Sequence, residues 1–560
     1  MLRKLVSATI VFALTSLGLS SVSPAQAAAA FSPSVSVPSN AYRGSVIPFS
    51  DEASLLVWID GDDNGRYLRS GLLHRDGTFD SQTTIFQGST STQIYENPTG
   101  SWAVLPDGTV AYTWSYAVTD WGTQTNTSYL NVAYTQDGKE WSAPIQVFQP
   151  KVITDGGPDC YFRGCGFTDS RIAYDANGTL AIAAQYVTRT TREVIASTSL
   201  DGVNWNSGSQ LFVGGAVQYP VLKALPNGGF ILVWQFHDGN NWNIQYSTTG
   251  KINFWTRAKT LGAGVIEREP VLGQTSATEL SMFTITADNV IPILHQQVFN
   301  FVDRTWGASN AILTMPTGWT SGDPVFSLGK NWHSAVAVSN TGNGTNTGYA
   351  GMVEMRNSVP QLPKTIATTT AEPSMAVPAL RVNSDDSITA LIKGTDVPSK
   401  ILTISSGEII SSTEVPLNAK SQVWAMTATV SPNGNIFLVA GTGGGIYEGM
   451  AYVGASKPQA AGALKVAGTA KNGKQLVATL PTFSSVSDIG VTTMQWYACA
   501  SKVTVVQITI PAGCVPIPKA VTAKFKVTAK QKNKFLALAV TNTNRVGTTI
   551  LFSPTTAKAK

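Results

Sequence analysis

Side chains of the kinds that handle sugars recur in this chain where one apolar run gives way to the next. They are the arginines Arg43, Arg163, Arg171 and Arg268, the carboxylates Asp60, Asp62 and Glu267, the phenol Tyr219, and the indoles Trp121 and Trp319. An arginine presents a planar fork that matches a sugar carboxylate, and an aromatic face covers the apolar side of a pyranose ring. Set around one depression, that mixture suits glycan recognition. The stretch Asp60-Gly61-Asp62-Asp63-Asn64-Gly65 also opens as a calcium loop does, with Asp60, Asp62 and Asn64 at alternate positions. Gly71 stands where such a loop needs its bidentate glutamate, so an acidic hairpin turn competes with a structural calcium site. No other cofactor is indicated. The four histidines, His74, His237, His295 and His333, are scattered, which argues against a histidine-based zinc site.

The elements that position these groups are short strands. Tyr134-Thr-Gln-Asp137-Gly138-Lys-Glu-Trp141 recurs as Ser197-Thr-Ser-Leu-Asp201-Gly202-Val-Asn-Trp205 and, more loosely, as Tyr246 through Trp255. A fainter copy precedes them at His74 through Phe79, and a degenerate one follows at Asp303 through Trp306. Each copy follows alternating apolar residues. This is hairpin-turn chemistry: Asp accepts from turn amides, Gly takes a positive φ, and the aromatic folds back onto apolar neighbours. Asn/Asp-Gly turns before Thr109–Trp114, Thr179–Ala184, Phe230–Trp234 and Ile436–Ala440 mark second strands, and the units recur every 48 to 70 residues or so. From Tyr42 onward eight four-stranded units can be laid down, with seven as the alternative count. The last unit lacks an outer strand, which Phe31–Pro38 is free to supply. The expectation is an all-β fold, a β-propeller over 31–457.

Met1-Leu-Arg3-Lys4, the apolar run to Leu19 and the small residues to Ala30 read as a secretory signal peptide over 1–30. No later segment is apolar for long enough to span a bilayer, so the expected location is secreted or extracellular, including association with the cell surface. Few charged residues, 50 glycines and abundant Thr, Ser and Val fit that setting. The four cysteines form two local pairs, Cys160/Cys165 and Cys499/Cys514, each read as a disulfide in an oxidising compartment.

The net charge of +5 hides an asymmetry. Residues 458–560 carry 13 Lys and Arg against the single acid Asp488, leaving 26 basic and 33 acidic residues, a net −7, elsewhere. Trp496 beside Cys499, alternating strands and a length of about 100 residues read as a basic Ig-like β-sandwich. Its lysines suit an anionic cell-wall polymer held by screened electrostatics. Nucleic acid is not indicated, because no recognition motif accompanies the charge.

The Asp/Gly/Trp turns resemble the Asp-box (BNR) repeats of sialidase-like propellers across roughly the first 420 residues. Here Asp137-Gly138 and Asp201-Gly202 are adjacent, one residue shorter than the family pattern. The tail resembles accessory Ig-like modules of exported actinobacterial proteins. The first resemblance implies that the boxes lie on turns between third and fourth strands, away from the active face. It further implies an arginine triad for a substrate carboxylate, an aspartate acid/base, and a tyrosine nucleophile assisted by a glutamate. Tyr42-Arg43-Gly-Ser-Val-Ile47-Pro48 keeps both ends of the family's first-arginine motif but inserts three residues. Carried over, Arg43, Arg268 and either Arg163 or Arg171 would bind substrate, with Trp121 and Trp319 beside them. Asp60 or Asp62, Tyr219 and Glu267 would be catalytic. Two readings stay open: a non-catalytic binder of extracellular glycans, and a sialidase-type exo-glycosidase acting on terminal acidic sugars. The oligomeric state is not indicated.

Overall fold

A computed structural model describes residues 30–560 except 32–34, 39, 51, 96–100, 155–164, 215, 250–253, 262–269, 288–290, 321, 342–347, 370–374, 384–385, 395–397, 406, 416–421, 431–435, 444–446, 456–457, 485–490 and 545–546. The signal-peptide reading of 1–30 therefore falls almost wholly outside the described residues. Among the described residues, no helix is long and apolar enough to cross a membrane.

Between residues 30 and 455 the strands form eight antiparallel sheets, here blades I to VIII in chain order from Ser45. Blade I is typical, running inside to outside through Ser45–Pro48, Ala53–Asp62, Gly65–His74 and Thr83–Gly88. Innermost strands of successive blades lie side by side from blade III to VIII, and Gln422–Val430 of blade VIII meets Ser45–Pro48 of blade I. The ring is an eight-bladed β-propeller.

Closure is made by the chain's N-terminal end. Val35–Val37 and Ala30–Phe31 both pair antiparallel with Tyr447–Ala455, supplying the outer position that blade VIII lacks. Val37 and Ala41 then pack with Val46, Leu56 and Trp58 of blade I and with Phe437 and Val439 of blade VIII. A sheet in this ring has neighbours on both faces, so its strands are apolar on both sides. Ser54 through Trp58 are all buried, and the second strands bring Trp58, Trp114 and Trp234 into the inter-blade core with no exposed surface.

The repeated turns join third and fourth strands, as expected of them. Asp137 Oδ1 accepts from the amides of Lys139 and Glu140, both at 2.8 Å. Asp201 accepts from Val203 and Asn204 at 2.9 and 2.7 Å. The turns also tie blades together. Trp141 Nε1 donates to Ser70 Oγ of blade I at 2.9 Å, and the Tyr134 hydroxyl donates to the Gly202 carbonyl of blade III at 2.9 Å. In the degenerate copy the cap is Asn300, which accepts from Val302 and Asp303, and not Asp303 itself.

In 458–560, the strands Lys465–Ala467, Gln475–Thr479 and Lys524–Lys526 form one sheet, and Cys514–Pro516, Val491–Cys499, Phe535–Asn544 and Gly547–Phe552 another. They share a core of Leu476, Ala478, Trp496, Leu536, Leu538 and Val540. Cys499 and Cys514 are disulfide-bonded.

Gly202 and Gly108 test how the turns act. Both have positive φ, 74° and 87°. A methyl group added at Gly202 would lie 2.7 Å from the Tyr134 hydroxyl, whereas one at Gly108 would meet no atom within 4 Å. Gly108→Ala is expected to cost about 1 kcal/mol of backbone strain. Gly202→Ala adds the displacement of Tyr134, for a total of about 2–3 kcal/mol. Thermal unfolding of the two variants should rank them in that order; equal shifts would mean that the Tyr134 contact contributes nothing.

Candidate functional site at the propeller axis

Each innermost strand begins at a link between blades, and these strands and links surround a cavity of about 490 Å³ on the ring axis. Seven blades line it. Blade I contributes Arg43 and Gly44, blade III Arg171, and blade IV Val221 to Lys223. Prolines Pro270, Pro324 and Pro378 come from blades V, VI and VII, Asp323 from blade VI, and Met426 and Thr427 from blade VIII.

Three of the inner strands carry a local irregularity, which holds Pro220 in blade IV and Pro378 in blade VII. In blade III the register shifts between Thr168 and Arg171, in blade IV between Gln218 and Val221, and in blade VII between Ala376 and Ala379. A bulge turns the strand and re-aims the side chains beside it. Asp169 and Tyr219 stand at equivalent places in the first two, with φ of 48° and 53°. Positive φ is uncommon for such residues and is retained only where surrounding contacts over-determine it. One such contact is clear: Arg171 Nε donates to the Pro220 carbonyl at 2.7 Å, so blade III grips the bulge of blade IV.

Arg43 and Arg171 thus share one cavity wall. Arg43 ends a single 3₁₀ turn, Ala41–Arg43, and is exposed, whereas Arg171 is buried. Tyr219 lies two residues before lining residue Val221. Arg163, Glu267 and Arg268 lie outside the described residues, so a triad cannot be assembled from the described arginines. Cys165 is disulfide-bonded, and its expected partner Cys160 is also outside them.

The first-blade carboxylates are committed elsewhere. Asp62 and Gly65 pair across a two-residue turn. Asp62 Oδ1 accepts from the Asn64 amide at 2.7 Å, and also from the Gly65 amide and the Tyr67 hydroxyl. The Asn64 amide leads the interactions that hold its carboxyl below the usual range. A general acid needs the opposite shift. Asp60 pairs with Arg69 at 3.3 Å. The segment is an acidic hairpin turn in form, and among the described residues no group of three or more His, Cys, Asp or Glu side chains could hold a metal ion. Asp120 and Asp238 cap the corresponding turns of blades II and IV.

Trp121 and Trp319 are 49% and 71% exposed at the same end of the ring. They sit on blades II and VI, half the ring apart, so they do not form one platform. Trp319 is four residues before Asp323 and is the one of the pair carried by a cavity-lining link.

Lys223 was not among the groups singled out by sequence. Its side chain is exposed toward the cavity space, and desolvation within the ring pushes its ammonium pKa down. The available signal was register. The position aligned with Lys223 in the blade pairing is the small residue Ala173, Gly273 or Ser327 in blades III, V and VI, and the cation Arg381 in blade VII.

No protein-family model matches the chain, and neither does any curated protein sequence. Solved structures similar to it include polysaccharide lyase Uly1, at 11% identity and TM-score 0.36 over 73% of this chain and 89% of that one. A Fusarium graminearum α-L-arabinofuranosidase in complex with arabinobiose aligns at 14% identity and TM-score 0.34, over 64% and 94%. The NanB sialidase of Streptococcus pneumoniae aligns at 10% and 0.31, over 75% and 98%. Likenesses of this degree carry no argument about substrate or reaction.

The depressed lysine yields a direct test. In acetylation by acetic anhydride followed by peptide mass mapping, the pH at half-modification should be lower for Lys223 than for the exposed Lys465 and Lys524. Coincident midpoints would show that the axial cavity does not desolvate the amine.

Proposed function

We propose that the chain is an exported glycan-binding protein whose axial cavity takes an acidic sugar. The observation that carries this reading is the charge of the cavity wall. Arg43, Arg171 and Lys223 line it, and Asp323 is the one acid among its described residues. Cations lining a partly apolar cavity attract a carboxylate more strongly than they would in bulk water. The proline and valine surfaces supply apolar contact for a ring, and the exposed Trp319 offers an indole face on the link that leads to Asp323. A few charged groups set among apolar walls is the usual make-up of a small-ligand site.

Hydrolysis is the second reading, and Tyr219 favours it. A tyrosine held at positive φ beside the cavity, with the following carbonyl gripped by Arg171, is backbone strain of the sort found at reacting centres.

A glycan array probed with the full chain should show binding to glycans with terminal carboxylated sugars over their neutral counterparts. Lys223→Met and Arg43→Ala should each weaken binding by about tenfold or more, as expected for loss of a charge-assisted contact. Trp319→Ala should weaken it without changing the preference for charge. An empty array, or equal binding of neutral glycans, would overturn the acidic-sugar reading. Turnover of a fluorogenic sialoside by the wild type, lost in Tyr219→Phe, would establish hydrolysis; a wild type without turnover removes sialidase activity and leaves binding.

A further inference from the structure

The 458–560 domain combines its excess of positive charge with an apolar surface that its core does not use. Between Cys499 and Cys514 the chain contains Val503, Val505, Val506, Ile508 and Ile510. Val505 is 60% exposed and Ile508 77%, and Val515, just past the disulfide, is 63% exposed. The segment is nevertheless well held. The disulfide closes its base. Gln507 and Phe552 exchange backbone hydrogen bonds at 3.0 and 2.8 Å, and the Thr555 amide donates to the Val503 carbonyl at 2.9 Å. An ordered loop that keeps several branched aliphatic side chains in water forgoes the stabilisation their burial would bring, and such patches mark interaction sites.

Cations sit at the same end of the domain. Lys502 belongs to the loop itself. Phe535 pairs with Cys499, Lys534 precedes it, and Lys558 Nζ lies 5.9 Å from the centre of the Phe535 ring. All three lysines are exposed. We propose that this end of the domain docks on an anionic lipid surface, with Val505, Ile508 and Ile510 entering the headgroup boundary and Lys502, Lys534 and Lys558 facing the lipid phosphates. Charge selects this occupant. Thirteen basic residues against one acid disfavour a second copy of the same domain and favour a negative partner. A soluble polyanion would account for the lysines and leave the exposed isoleucines unused, whereas an interface takes both.

The test is co-sedimentation of the full chain with vesicles of phosphatidylcholine alone and of equimolar phosphatidylcholine and phosphatidylglycerol. Binding is expected to the anionic vesicles only, weakening as salt rises. The double variant Val505→Ser, Ile508→Ser and the triple variant Lys502→Ala, Lys534→Ala, Lys558→Ala should each reduce it about tenfold or more. Melting temperatures should be unchanged, since all five side chains are exposed. Three results would overturn the proposal: no binding to anionic vesicles; binding that the serine variant retains and soluble polyphosphate abolishes, which marks a polyanion site; or concentration-dependent self-association, without vesicle binding, that the serine variant removes.

Discussion

Ring closure is the constraint on which the propeller depends. A four-stranded antiparallel sheet with apolar residues on both faces is insoluble by itself, and its edge strands invite unwanted pairing. The blades meet both problems by facing one another, so each supplies half of its neighbour's core. The arrangement works only if the first and last blades also meet. Blade VIII has three strands from its own stretch of chain, and its fourth place is filled by Val35–Val37 and Ala30–Phe31. Pairing across more than 400 residues is costly in loop entropy, although that cost grows only logarithmically with length. The contacts of Val37 and Ala41 with blades VIII and I offset it, because they bury apolar surface from both chain ends at one seam.

Closure also determines where charge can act. Turns at both ends of the blades use carboxylates as amide caps. Asp137 and Asp201 do so on one side of the ring, and Asp62, Asp120 and Asp238 on the other. Amide hydrogen bonds hold the carboxyls of Asp62, Asp137 and Asp201 below their ordinary range. A capped carboxylate is well suited to keeping a turn in shape and poorly suited to donating a proton at neutral pH. Conspicuous acids in the loops are therefore largely architectural. The axial cations Arg171 and Lys223 lie on innermost strands, whose inner edge has no partner strand and faces the axis.

That division explains what could be read from residues alone. The eight units and the closing strand were legible because the signals are local: Asn/Asp-Gly turns, alternation, and an apolar segment near the start with no sheet of its own. Cys499–Cys514 and the Trp496 core were legible for the same reason. The site was only partly so. Arg43 and Arg171 can be assigned to blade-linking segments, but nothing local says that residues 128 positions apart line one cavity while Trp121 and Trp319 stand across the ring. Asp60 and Asp62 looked like chemistry because a cap, a calcium ligand and a catalytic acid use the same residue type. Only the hydrogen-bond partners separate these roles.

Lys223 marks the other side of that limit. In a strand of an ordinary sheet a lysine between Leu222 and Ala224 reads as the solvent-facing member of an alternating pair. In the innermost strand of the closed ring, the equivalent positions belong to Ala173, Gly273 and Ser327 in blades III, V and VI and to Arg381 in blade VII. An added methyl at Gly273 would lie 2.1 Å from Phe326 of the next blade, so that position has no room for a side chain. Arg381 is accommodated at this station by reaching the next blade, its Nη1 donating to the Val430 carbonyl at 3.0 Å, whereas Lys223 lines the axial space, where desolvation pushes its ammonium pKa down. A carboxylate bound beside Lys223, as the proposed function requires, would favour the charged amine that desolvation disfavours. In the function we propose, the ring thus contributes to affinity for an acidic ligand by where it places Lys223.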